Sequence, residues 1–188
     1  MIESQAFPTA TAFRDWLAQN HASAKELWMR LYKKHTGVPS ITYAEALDQA
    51  LCFGWIDGLK KSGDDQSWIQ RFTPRGPRSQ WSKVNTSHAE RLIKTKQMTP
   101  AGLAAVKAAQ ADGRWEAAYD SARNAVPPAD FLAALNHDKK AAAFFATLNQ
   151  SNRYAILYRL QTAKRPETRA RRMTQILGML AKGEKFHP

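Results

Sequence analysis

The chain reads as an α+β protein, a small antiparallel sheet of about three strands within 26–73 packed with helices and followed by an all-helical part. Three observations predict this. "ELWMRLYKK" (26–34) alternates, with Trp28, Arg30 and Tyr32 on one side and Leu27, Met29 and Leu31 on the other. Two further alternating runs, 55–60 and 68–72, flank a Gly63-Asp64 turn signal. Beyond residue 85 the spacing of apolar residues and caps is helical only.

Taken in order, residues 11–20 predict a first helix, with Phe13, Trp16 and Leu17 at helical spacing. The strand at 26–34 is ended by His35-Thr36-Gly37 and Pro39. Thr42 and Glu45 have capping-box spacing; Leu47, Ala50 and Leu51 form the apolar stripe behind them, and Gly54 closes the helix. A two-residue turn at Gly63-Asp64 would make 55–72 a β-hairpin pairing Leu59 with Trp68, Asp57 with Gln70 and Trp55 with Phe72. A longer loop through Asp65 and Gln66 is the alternative.

"TPRGPRSQWSKVN" (73–85) is a basic loop punctuated by proline and glycine. Ser87 and Glu90 offer a second capping box, Thr99-Pro100 an N-cap followed by proline at the first helical position, and Gly113 a stop. Pro127-Pro128 divides an α+β domain, 1–126, from a helical module, 127–188. Within that module Asp138, Ser151 and Thr168 lie at or near three further helix starts. The last helix carries Ala170, Met173, Leu177 and Leu180 on one side, with its arginines expected to face outward.

The formal net charge of +12 is unevenly spread: residues 71–97 carry +6 and residues 139–188 carry +9, while the rest is near neutral. Such blocks attract anions, and nucleic acid, a phosphate ligand or an acidic protein is the partner class they suggest; solubility alone is the plainer reading. The one cysteine excludes an internal disulfide and fits a reducing compartment. The opening residues lack the charged and apolar regions of a signal peptide, and no apolar run reaches membrane-span length, so a cytoplasmic location is expected.

Nucleotide-binding, metalloprotease and nucleophile-elbow motifs are missing, and the five histidines lack ligand spacing, so no cofactor or metal is expected. Whether the chain is an enzyme stays open. Cys52 falls in the last turn of its helix, where the dipole raises a thiol pKa, and reads as a buried, inert residue.

Two candidate sites remain. Asp57 and Gln70 lie among Trp55, Trp68 and, further on, Trp81. A carboxylate among rings must be hydrogen-bonded, ion-paired or protonated. It is either a polar couple that pins the hairpin or a ligand anchor on an aromatic floor. The second candidate is an anion site, with Arg71, Arg75, Arg78 and Lys83 interleaved with Phe72 and Trp81, joined in the last helix by Arg169 and Arg172. The alternative there is a core Trp81 with solvated arginines.

The segments "YKKHTG", "TYAEALDQALCFGWIDG", "QRFTPR", "WSKVN", "MTPAG", "DGRW" and "AKRPETRARR", in this order, resemble the YdeI/OmpD-associated, or bacteriocin-protection, family over nearly the whole chain. The tail segment is similar to that family's C-terminal helical module. The resemblance implies a small α+β body and a link to envelope stress or antimicrobial-peptide resistance, and it carries over no catalytic residue. A +12 protein repels cationic peptides, so a protective role would be indirect. The function expected is therefore that of a cytoplasmic accessory or binding protein acting on an anionic partner, with a small-ligand or enzymatic pocket at Asp57 and Gln70 as the alternative.

Overall fold

A computed structural model describes residues 3–188. The element order is β1 (Gln5–Ala6), α1 (Ala10–Asn20), β2 (Leu27–Tyr32), α2 (Tyr43–Cys52), β3 (Trp55–Ser62), β4 (Ser67–Pro74), α3 (Lys83–Lys94), α4 (Pro100–Ala111), α5 (Ala129–Asn136), α6 (Lys139–Thr147), α7 (Gln150–Gln161) and α8 (Pro166–Ala181). The strands fall in the first half and the second half is helical, so the fold is α+β as predicted. The chain divides into two compact units, residues 1–81 with 85–117, and residues 82–84 with 118–188.

In the first unit the sheet order is β1-β2-β4-β3. β2 and β4 pair antiparallel, as do β4 and β3; the two-residue β1 adds in parallel to β2. Alternation along β2 sorts as the sequence predicts, with Leu27, Met29 and Leu31 buried and Trp28, Arg30 and Tyr32 half-exposed. The buried face is completed by Trp55 and Phe72 and covered by Phe13 and Leu17 of α1 and Ala46, Leu47 and Ala50 of α2. Burying each of these larger side chains contributes roughly 1.5–3 kcal/mol, so this face supplies much of the unit's stability.

The helix starts follow local chemistry. Thr42 Oγ1 accepts from Glu45 N at 3.3 Å while Glu45 Oε2 accepts from Thr42 N at 2.9 Å, the expected capping box. The Thr42 backbone N–H and, second, the Thr42 hydroxyl, which donates to Glu45 Oε2 at 2.7 Å, hold the Glu45 carboxyl below its ordinary pKa. Gly54 takes φ 73°, the left-handed conformation that lets the chain leave α2 and enter β3. Thr99 caps α4 and also donates its hydroxyl to Cys52 O at 2.6 Å, tying the end of α2 to the start of α4. Gly102, one turn on, presses against the same carbonyl; a side chain there would also come within 2.8 Å of Leu51 O.

Two sequence expectations are corrected. The β3–β4 connection is not a two-residue turn but the longer loop over 63–66. Asp64 Oδ1 accepts from Gln66 N at 3.0 Å and Ser67 Oγ at 2.7 Å, which closes that loop on itself. The register slips accordingly. Trp55 lies opposite Pro74, Asp57 opposite Phe72 and Ser62 opposite Trp68, so Asp57 does not face Gln70. The second correction concerns α3, which begins at Lys83. Ser87 and Glu90 therefore sit inside the helix and form no cap there.

In the second unit, α5 to α8 surround a core that includes Phe131, Leu135, Leu148, Ile156, Leu160, Ile176 and Leu180. Asp138 caps α6 and Asn149 caps α7. Asn152, 1% exposed, accepts from His187 N at 2.9 Å and donates to His187 O, holding the end of the chain against α7. Residues 118–120 are held by Tyr154, whose hydroxyl donates to Asp120 O at 3.0 Å, and by a 2.8 Å ion pair between Lys83 and Asp120. Among the described residues no helix is long and apolar enough to cross a membrane.

Candidate functional site

The register slip produces the most distinctive local feature of the sheet. Asp57 pairs with Phe72 and Lys60 with Gln70, so Gly58 and Leu59 together face only Arg71. One extra residue on one strand is a β-bulge, which bends the strand and re-aims its side chains. Asp57 and Lys60 are three apart and would point to opposite faces of a regular strand. Here the bulge turns both toward one face.

Gln70 holds the bulge in place. Its side chain is 3% exposed, and Nε2 donates to Gly58 O at 2.9 Å, Arg71 O at 3.3 Å and Leu59 O at 3.4 Å. Three carbonyl acceptors fix which end of the amide points inward, because only the nitrogen can donate. The oxygen is left as the acceptor available to a ligand.

Around this bulge Tyr43, Asp57, Gly58, Lys60, Trp68 and Gln70 line an open hollow of about 390 Å³. That volume is at the small end of ligand sites, which span roughly 300–1,000 Å³. Tyr43 is the first residue of α2, so the capping box beside it sets its position. Its hydroxyl donates to Asp57 Oδ2 at 2.8 Å, orienting the half-buried carboxylate. The Tyr43 and Trp68 rings lie 6.0 Å apart at 46° and form the aromatic wall. Lys60 Nζ stands 4.4 Å from the Trp68 ring centroid, a cation–π contact. Among the described residues no ion pair joins Asp57 to Lys60. A donor-seeking carboxylate, an ammonium and two rings therefore face the same space.

The hollow gathers Asp57, Trp68 and Gln70 of the sequence candidates. Trp55 and Trp81 lie elsewhere. Trp55 is 1% exposed, donates Nε1 to His21 O at 3.1 Å and meets Trp16 edge-on at 5.9 Å. Trp81 is 2% exposed, sandwiched between the Arg75 guanidinium at 3.5 Å and Trp115 at 4.9 Å. Sequence reasoning missed Tyr43, Gly58 and Lys60. Tyr43 could have been found, since its place next to the N-cap is set by Thr42 and Glu45. Lys60 could not, because only the bulge brings it to the Asp57 side.

The anion-site candidates other than Arg78 are engaged with the protein itself. Arg71 pairs with Glu26 at 2.8 Å. Arg75 stacks on Trp81 and donates to Gln80 O at 3.1 Å. Lys83 pairs with Asp120, and Arg78 is exposed. In α8, Arg171 is exposed as expected, but Arg169 and Arg172 do not face outward. Arg169 grips Asp130 with 2.7 Å bonds and donates to Leu160 O at 2.8 Å, while Arg172 donates to Arg159 O at 2.6 Å and Thr162 Oγ1 at 3.3 Å. Both therefore satisfy carbonyls in the last turn of α7, where cations are favoured. The same Arg169 holds the Asp130 carboxyl below its usual pKa.

Cys52 is fully buried, and burial pushes its thiol pKa up, the opposite of what a nucleophile needs. Among the described residues no group of three or more His, Cys, Asp or Glu side chains could hold a metal ion.

Comparison with known proteins divides the chain at nearly the same place as its architecture. Residues 124–183 match the family model described as bacteriocin-protection, YdeI or OmpD-associated. Residues 5–105, which include the whole hollow, match a family model described as a domain of unknown function, DUF8412. No curated protein and no solved structure matches the chain. With more than half of its length covered by the first-half model, the chain belongs to the DUF8412 family and carries a bacteriocin-protection, YdeI or OmpD-associated segment at its C-terminal end.

Proposed function

We propose that the protein is a cytoplasmic accessory protein whose first unit binds a small polar ligand in the hollow beside the β3 bulge. The observation that carries this is the convergence of Asp57, Lys60, Tyr43 and Trp68 on one open space of about 390 Å³. A few polar groups placed against aromatic walls are the general make-up of small-molecule sites. The basic loop offers less support for its rival, an extended anionic partner, because Arg71 and Lys83 each already meet a carboxylate. The single cysteine supports a reducing compartment. The family description at residues 124–183 supports a role in bacteriocin protection, and the +12 charge supports an indirect one.

A thermal-shift screen of the full chain against small amines, carboxylates, amino acids and a polyanion tests this. A ligand held at 100 times its Kd stabilises the native state by about 2.7 kcal/mol, an easily read shift. The expected hit is a small molecule whose effect is lost in Asp57→Asn and in Trp68→Leu. A small-molecule effect undiminished in both variants, or stabilisation by the polyanion alone with steep salt dependence, overturns the reading.

A further inference from the structure

The hollow carries two opposite charges that do not neutralise each other. Asp57 spends one oxygen on the Tyr43 hydroxyl, and Lys60 rests on the face of Trp68. The bulge brings them to the same side while leaving them without a mutual ion pair. They share the lining of the hollow with the two rings, Gln70 and a glycine that contributes no side chain. A cation alone would satisfy Asp57 but compete with Lys60 for Trp68. An anion alone would satisfy Lys60 but be repelled by Asp57. A dipolar molecule satisfies both at once, and its apolar portion can lie against Tyr43 and Trp68.

Resting on the small-ligand reading above, we propose that the hollow takes a small zwitterion, a free α-amino acid with an apolar or aromatic side chain. Its ammonium meets Asp57 and Gln70 Oε1, and its carboxylate meets Lys60. The requirement for both charges sets the specificity, since a site built for a charged group rejects the analogue that lacks it.

Three probes of common skeleton separate the possibilities: phenylalanine with both charges, phenethylamine with the cation only, and 3-phenylpropionate with the anion only. Titrations on the full chain are followed by calorimetry and by the indole N–H signal of Trp68, assigned with Trp68→Phe. Phenylalanine is expected to bind at least tenfold tighter than either analogue, shifting the Trp68 signal. Asp57→Asn should weaken phenylalanine and phenethylamine tenfold or more while sparing 3-phenylpropionate, and Lys60→Gln should weaken phenylalanine and 3-phenylpropionate tenfold or more while sparing phenethylamine. If one singly charged probe binds as tightly as phenylalanine and shifts Trp68, the zwitterion assignment is wrong and the small-ligand site stands. If no probe shifts Trp68, the zwitterion assignment falls; if the broader screen is also flat, the small-ligand site falls with it.

Discussion

Replacing Gln70 by glutamate keeps the shape of the side chain and reverses the chemistry at its inner end. The amide nitrogen meets Gly58 O at 2.9 Å, near the optimum, and two further carbonyls at 3.3 and 3.4 Å. Losing the good bond costs about 1 kcal/mol net, and facing a buried carboxylate toward three carbonyls adds roughly 2 kcal/mol of unmatched desolvation. At pH 7 the Gln70→Glu variant should therefore lose about 3 kcal/mol relative to the parent. The introduced carboxyl has its folded-state pKa raised above the unfolded value of about 4.3. Its stability is accordingly retained below that pH, where the acid can donate, and lost as the pH rises through the folded value. At pH 4 the deficit should shrink to about 1 kcal/mol. All six tryptophans belong to the first unit, so fluorescence during urea unfolding reports that unit. With a slope of about 2 kcal/mol/M the midpoint should fall by about 1.5 M at pH 7 and by about 0.5 M at pH 4. The control Gln70→Leu should show a pH-independent loss. A Gln70→Glu midpoint displaced equally at both pH values refutes the assignment of Gln70 as the donor that holds the bulge.

Two further outcomes follow from the packing and the buried groups. Gly102→Ala drives a methyl group into Cys52 O and within 2.8 Å of Leu51 O, forcing α4 off the end of α2; despite the better helix propensity of alanine, a net loss of about 2 kcal/mol is expected in the urea midpoint, and a raised midpoint would show that the two helices do not meet so closely. Tyr154 has its pKa pushed up to about 12, chiefly by burial and then by Tyr119. Absorbance at 295 nm should show one phenol ionising after the others, and Tyr154→Phe should remove that step. Because the folded value lies above the unfolded one of about 10, the associated stability is present below that pH and lost between about 10 and about 12.

The sequence made the skeleton of the fold readable wherever a local rule acts alone. The alternation of β2, the Thr42–Glu45 box and the Thr99-Pro100 start all depend on neighbours within four residues, and all are present. The hairpin register was less accessible for a specific reason. Moving Trp55 from Phe72 to Pro74 is a slip of two residues, which preserves the faces and so leaves the apolar pattern unchanged. What decided it was Asp64 turning back on Gln66 and Ser67, together with Gln70 rewarding the extra residue at Gly58 and Leu59. The candidate site inherits that difficulty. Asp57, Trp68 and Gln70 stand out by type, but the inclusion of Lys60 depends on the bulge. The arginines were legible as charges and not as pairs, because Arg169 finds Asp130 and Arg71 finds Glu26 at long sequence separation.

The borders of the sheet have a consequence for what can be recognised. A sheet accepts a foreign segment through an unpaired strand border, where rows of free backbone groups template a new partner. One border here is the two-residue β1, and the other is β3, interrupted by its bulge and bearing Lys60 and Lys61. Neither offers an uninterrupted run for an incoming peptide to zip onto. An incoming strand would therefore find little free backbone to pair with at these two borders.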